Sequence, residues 1–202
     1  KFNMELMSFG FINNKNSPAI WRGPMVARMT QQFFDNVAWG DLDYLILDLP
    51  PGTGDIQLTL VQKIQLTGAI IITTPQDLSI VDVQKGSEMF KKVNVPLIGI
   101  IENMSEYIIK GKIKNFNKNN DILLEDNQGI TIKENGSFEI EIDVFKGSGG
   151  LLESTRLGIP LLEKIPLNPL ISESSDSGVP YVLNYPDSAI STKFNKIISK
   201  IT

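Results

Sequence analysis

Three runs of the chain, DYLILDL (43–49), GAIIITT (68–74) and VPLIGIIENM (95–104), are short, rich in Ile, Leu and Val, and free of apolar–polar alternation. Strands covered on both faces carry that pattern, because neither face meets water. Between the runs lie two segments of helical length. DIQLTLVQKI (55–64) opens on Asp55; DLSIVDVQKGSEMFKK (77–92) opens on Asp77 and closes on lysines, which suits the helix dipole at both ends. This β-α-β-α-β order predicts a parallel sheet with right-handed crossovers, whose ligands gather beyond the carboxyl ends of the strands.

On either side the pattern predicts further elements. WRGPMVARMTQQFFDNVAWGD (21–41) reads as a helix entered through Gly23-Pro24 and left before Gly40. From 106 to 146 polar residues alternate with apolar or β-branched ones around turn pairs such as Asn135-Gly136, which predicts a β-hairpin insertion. GSGGLLESTRLGIP (147–160) then gives a glycine-rich start and a short helix, LLEKIPL (161–167) a last strand, NPLISESSDSG (168–178) a short helix or turn, and 187–201 a terminal amphipathic helix. The expected fold class is α/β, a mostly parallel sheet flanked by helices with the hairpin inserted, in a single domain over 1–202.

Composition narrows the function. At 202 residues the chain can bury one sizeable core, and 42% hydrophobic with 21% charged residues is ordinary for a soluble protein. No apolar run reaches the roughly 18–20 residues of a membrane span. The net charge is −4 and the lysines are scattered, so neither nucleic acid nor membrane is an expected partner. There is no cysteine and no histidine, which removes disulfides, thiolate nucleophiles, imidazole bases and Cys/His metal sites. KFNMELMSFGF lacks the apolar core of a secretory leader, and a cytoplasmic or organelle-matrix location is expected.

The stretch LILDLPPGTGD (45–55) concentrates the candidate chemistry. An acid at the carboxyl end of a buried strand can organise Mg²⁺, often through water, beside nucleotide phosphates, and Asp48 has that place. In the loop that follows, Gly52 and Gly54 let backbone amides approach a terminal phosphate without a side-chain clash. Such a loop can sense whether the phosphate is present. From these residues alone a second reading stays open: a strand that ends in an acid, then a tight turn before a helix capped by Asp55.

Taken together, WRGP (21–24), DYLILDLPPGTGD (43–55), TTPQD (73–77), KKVNVPLIGIIENMS (91–105) and IPLNP (165–169) closely resemble the Mrp (ApbC-like) family, P-loop ATPases of the MinD/ParA type that carry iron–sulfur clusters. The resemblance covers the chain except 106–146. It implies a P-loop NTPase fold, ATP and Mg²⁺ as ligands, a homodimer, and an iron–sulfur client or scaffold protein as partner. It also implies roles for single residues. Asp48 matches the Walker B acid; Gly52, Thr53, Gly54 and Asp55 match the switch II loop at the γ-phosphate; Asn103 matches the asparagine whose amide reads adenine. Pro166 and its neighbours match backbone lining the base, with Asn168 where the family more often has Asp. Trp21 and Arg22 match WRGP, where packing near the switch or dimer face is expected, and Asp77 is explained as a helix N-cap.

Two departures qualify the resemblance. No GxxxxGKS or GxxxxGKT occurs, so the loop that cradles phosphates is absent from these residues, an N-terminal truncation is expected, and the chain alone is not expected to bind ATP tightly or hydrolyse it. The missing central strand should leave an exposed sheet edge. The family's CxxC, which holds a 4Fe–4S cluster between subunits, falls where this chain has its hairpin, and no cysteine is present to ligate a cluster. Other readings are a partitioning or regulatory ATPase of the MinD/ParA type, and a non-catalytic interaction module that keeps the fold.

Overall fold

A computed structural model describes residues 2–12, 23–49, 57–58, 61–62, 64–114, 130 and 132–202. The chain divides into two compact units, one formed by 1–68 with 85–96, the other by 69–84 with 97–202. The first contains α1 (Phe9–Ile12) and α2 (Gly23–Asp35). In it the Phe9 and Phe33 rings lie with centroids 4.7 Å apart, and the Trp39 indole donates to the Phe33 carbonyl at 2.8 Å. Helix α2 stops at Asp35, short of the predicted end near Gly40. Gln57, Leu58, Val61 and Gln62 are helical, as expected for that segment.

The predicted strand over 43–49 is not found. Residues 44–49 adopt no strand, Ile46 is 90% exposed and Leu45 is exposed beside it. An apolar run becomes a strand only when a neighbour takes its backbone hydrogen bonds and something covers its faces, and no described strand pairs with this one.

The second unit holds the sheet. Strands β1 (Ala69–Thr73), β2 (Leu97–Lys112), β3 (Ser137–Ile142) and β4 (Leu161–Leu167) form one four-stranded sheet in which β2 pairs with all the others. The first half of β2 runs parallel to β1 and β4, and its second half runs antiparallel to β3. β2 is therefore longer than the predicted 95–104, because the parallel strand and the first arm of the hairpin are one continuous strand.

The helices follow the sequence pattern closely. α3 spans Asp77–Lys92 and crosses from one unit to the other. α4 spans Gly149–Leu157 and ends at Gly158, whose φ of 68° is the left-handed conformation of a helix C-cap. α5 (Pro169–Asp176), the short α6 (Tyr181–Asn184) and α7 (Ala189–Ile201) complete the chain. α7 opens on Ser188, whose hydroxyl accepts from the Ser191 amide at 3.0 Å. Its Ile190 and Ile197 are buried with Leu162, Ile165 and Tyr181, and Phe194 and Ile201 pack against that cluster. No described helix is long and apolar enough to cross a membrane.

One ion pair on this face is sensitive to pH. Glu163 accepts from the Lys164 amide at 3.1 Å and from the Lys193 ammonium at 3.4 Å, with its side chain 18% exposed. Burial opposes its charge, but the Lys164 amide, Lys193 and the nearby Lys196 outweigh it and hold the carboxyl below its ordinary value of 4.5. A depressed folded pKa gives stability that is complete above the unfolded value and lost as pH falls through the folded one. E163Q should therefore cost about 0.5–1 kcal/mol at neutral pH, and that difference should vanish below the glutamate range. Urea unfolding at several pH values checks this; an equal loss at acid and neutral pH would contradict it.

Candidate functional site

The carboxyl ends of the three parallel strands in the second unit come together at one edge of the sheet. β1 ends at Thr73, and the chain leaves through Thr74, whose hydroxyl lies 2.6 Å from that of Ser79 in the first turn of α3. The unbroken parallel register of β2 with β4 reaches Asn103, and Met104 then takes a φ of 55°, which few residues other than glycine adopt. β4 ends at Leu167, and Asn168 caps α5 by accepting from the Leu170 amide at 2.9 Å, with Pro169 at the first helical position. In register, Thr73, Glu102 and Lys164 form one row across the strands, and Asn103 lies opposite Ile165 in the next. Asn103 and Pro166, named separately from the sequence, thus sit on adjacent strands at the same end of the sheet.

Glu102 organises this edge. It is 1% exposed, and both carboxylate oxygens are used: Oε2 accepts from the Gly150 amide at 2.7 Å, and Oε1 pairs with the Lys164 ammonium at 2.8 Å. Gly150 lies in the first turn of α4, so the carboxylate also faces the positive end of a helix dipole. The approach requires glycine, since a Cβ at 150 would stand 2.8 Å from Glu102 Oε2. One step earlier, the Gly149 amide donates to the Pro75 carbonyl at 3.1 Å. Gly147, at φ 137°, passes so near that carbonyl that a Cβ would lie 2.2 Å from it. The glycine-rich run after the hairpin is thereby clamped to the loop after β1 and to the end of β2.

The ParA family described as the NUBPL iron-transfer P-loop NTPase matches residues 1–134 and 123–202, the whole length of the chain. The chain belongs to this family. Among relatives of this NUBPL-family chain, an iron-sulfur cluster carrier protein of Aquifex aeolicus is 36% identical over all of it and 49% of the relative. A protein of the same description from Pseudomonas fragi is 39% identical over 96% of the chain and 58% of the relative. A nucleotide-binding protein of Archaeoglobus fulgidus, solved in complex with ADP, superposes with a TM-score of 0.56 at 29% identity, covering 78% of this chain and 54% of that one. The fold is that of the P-loop NTPases, and the chain spans about half the length of the curated relatives it matches.

Within this NUBPL-family chain the remaining sequence-named residues fall as follows. Asp48 is exposed and lies outside any strand in the first unit. Trp21, Arg22, Gly52, Thr53, Gly54 and Asp55 lie outside the described residues. Asp77 is the first residue of α3. Among the described residues no group of three or more His, Cys, Asp or Glu could hold a metal ion. The sequence reading passed over Glu102, although an acid within VPLIGIIENM was the available signal. It also passed over Glu153, buried in α4, whose two oxygens accept from Nε and Nη2 of Arg156 at 2.7 Å each.

G150A is expected to lower stability by about 1–3 kcal/mol, because the added methyl overlaps a carboxylate that cannot retreat from two partners. Unfolding of parent and variant in urea measures it; parent-like stability would show that the start of α4 is not held against Glu102.

Proposed function

We propose that this chain provides the base-reading and switch parts of an Mrp-type ATP-binding protein of iron–sulfur cluster delivery or assembly. The observation that supports this most directly is Asn103 beside Ile165 and Pro166 at the carboxyl edge of the parallel sheet, in a chain matched along its length by that family. A side-chain amide offers both the donor and the acceptor that the adenine edge requires. In this reading Asn103 meets the base, backbone around Pro166 lines it, and Asp48 holds Mg²⁺ through water. Gly52, Thr53, Gly54 and Asp55 approach the γ-phosphate and respond to its loss. Bound Mg²⁺ would neutralise phosphate charge there. The phosphate-cradling loop and its lysine are not among the 202 residues, so hydrolysis depends on a part they do not include.

A cluster fits these residues poorly. With no cysteine in the chain, thiolate ligation is unavailable to it. The role assigned here is therefore the nucleotide-dependent engagement of a client or scaffold protein, by a homodimer in the cytoplasm or an organelle matrix.

Mg-ATP is expected to bind the 202-residue chain more weakly than the micromolar range. At millimolar concentration, adenosine nucleotides should shift the Asn103 side-chain amide and residues 166–168 in NMR spectra more than guanosine nucleotides do. N103A should remove that preference. Equal responses to the two bases, or none, would sink the reading. Independently, anaerobic addition of iron and sulfide should leave the protein without a visible charge-transfer band; a stable band would overturn the non-ligating assignment.

A further inference from the structure

We propose that α7 locks the outer edge of β4 against strand addition, with Lys193 and Lys200 occupying the backbone carbonyls that a second copy of this chain would otherwise use. β4 pairs with β2 and, among the described residues, with no other strand, so its far side is a sheet edge. A parallel strand turns alternate peptide groups toward and away from its partner. Such an outward row of amides and carbonyls is a template for pairing with another chain.

On β4 three of those groups are already engaged. The Lys164 carbonyl accepts from Lys193 Nζ at 2.8 Å, and the Leu162 carbonyl accepts from Lys200 Nζ. The Lys164 amide is held by its neighbour's carboxylate, Glu163 Oε1, at 3.1 Å, and the same oxygen binds Lys193. Two residues further on stands Pro166, which has no amide hydrogen to offer. Leu162, Lys164 and Pro166 are alternate positions of one strand, so each successive outward position has a group that is engaged or, at Pro166, an amide hydrogen that is absent.

The geometry depends on the helix. Lys193 and Lys200 are two turns apart, about 10.5 Å along the axis, whereas the two carbonyls they reach are about 6.6 Å apart along the strand. The long stems converge across that difference. Because the later lysine meets the earlier strand residue, α7 runs opposite to β4. Each lysine follows by three positions an isoleucine of the buried stripe, Ile190 or Ile197, so burial of the stripe places the ammonium groups over the edge. The ammonium groups thus serve the backbone of the strand.

The double variant K193M/K200M keeps stem length and removes both donors; K133M/K146M makes the same charge change away from the β4 carbonyls and from Glu163. Sedimentation velocity over a concentration series should show self-association of K193M/K200M strengthened on the order of tenfold over the parent. Hydrogen exchange should show new protection of residues 161–167 in the associated form. The control pair should sediment as the parent does. No strengthening, strengthening without protection at 161–167, or an equal effect of the control pair overturns the proposal. If circular dichroism shows that K193M/K200M has lost helix, K200M alone is judged by the same criteria.

Discussion

A carboxylate buried at the end of a central strand must be fully partnered, because withdrawing its charge from water costs several kcal/mol that only close, well-directed contacts offset. Glu102 meets that requirement with one oxygen on the Gly150 amide and the other on the Lys164 ammonium. Its two bonds join β2 to the start of α4 and to β4. Lys164 remains 43% exposed, so its ammonium keeps part of its hydration while the carboxylate loses nearly all of its own. The asymmetry identifies Glu102 as the member whose partners matter more. The glycine spacing of 147–150 follows from it, since a helix start can approach a carboxylate and the Pro75 carbonyl this closely only without side chains.

The sheet changes character just beyond Glu102. From Ile100 to Glu102, β2 is flanked on both sides by parallel strands; at Tyr107 it meets both Leu167 of β4 and Ile142 of β3, and from Ile108 to Lys112 its partner is β3. The positive φ at Met104 and the register shift before Tyr107 mark that change. In the hairpin, Tyr107, Ile109, Phe138, Ile140 and Ile142 share one face through their pairing, while Lys110 and Glu139 pair on the other at 3.2 Å. That ion pair is largely solvated and contributes little. The hairpin's order therefore depends on its apolar face and on the anchoring of its two ends, one in β2 and the other in the glycine clamp.

How much of this could be read from the sequence depends on how local the cause is. DLSIVDVQKGSEMFKK and LLEKIPL gave their elements to the residue, because an acid-to-lysine gradient and a short apolar run are complete within themselves. DYLILDL carries an equally strong strand pattern and forms none, since pairing is a property of the neighbour and not of the run. The VPLIGIIENM strand was expected to end near Asn103, and continued because the hairpin's first arm extends it. Asn103 and Pro166 could be named from a resemblance, and their proximity follows from register. Glu102 was not singled out, since its role depends on Gly150 and Lys164, 48 and 62 positions away, and a one-dimensional pattern gives no weight to such partners.

Asn168 and Pro166 show how far a site can be argued from shared residues. The family more often has Asp where Asn168 stands, and the loss of charge there would matter if the position met a phosphate or a metal. In this chain its side-chain oxygen caps α5, a task that Asn and Asp perform about equally well, so the exchange is neutral for the fold. Pro166 is likewise accounted for by its place on an edge strand, where a residue without an amide hydrogen removes a point of pairing. Neither residue needs a nucleotide to explain it. Asn103 differs: it is a partly buried amide beside a backbone turn that few side chains tolerate, and no cap or edge requires it there. Of the three residues, only Asn103 has a place that neither a helix cap nor an edge strand accounts for.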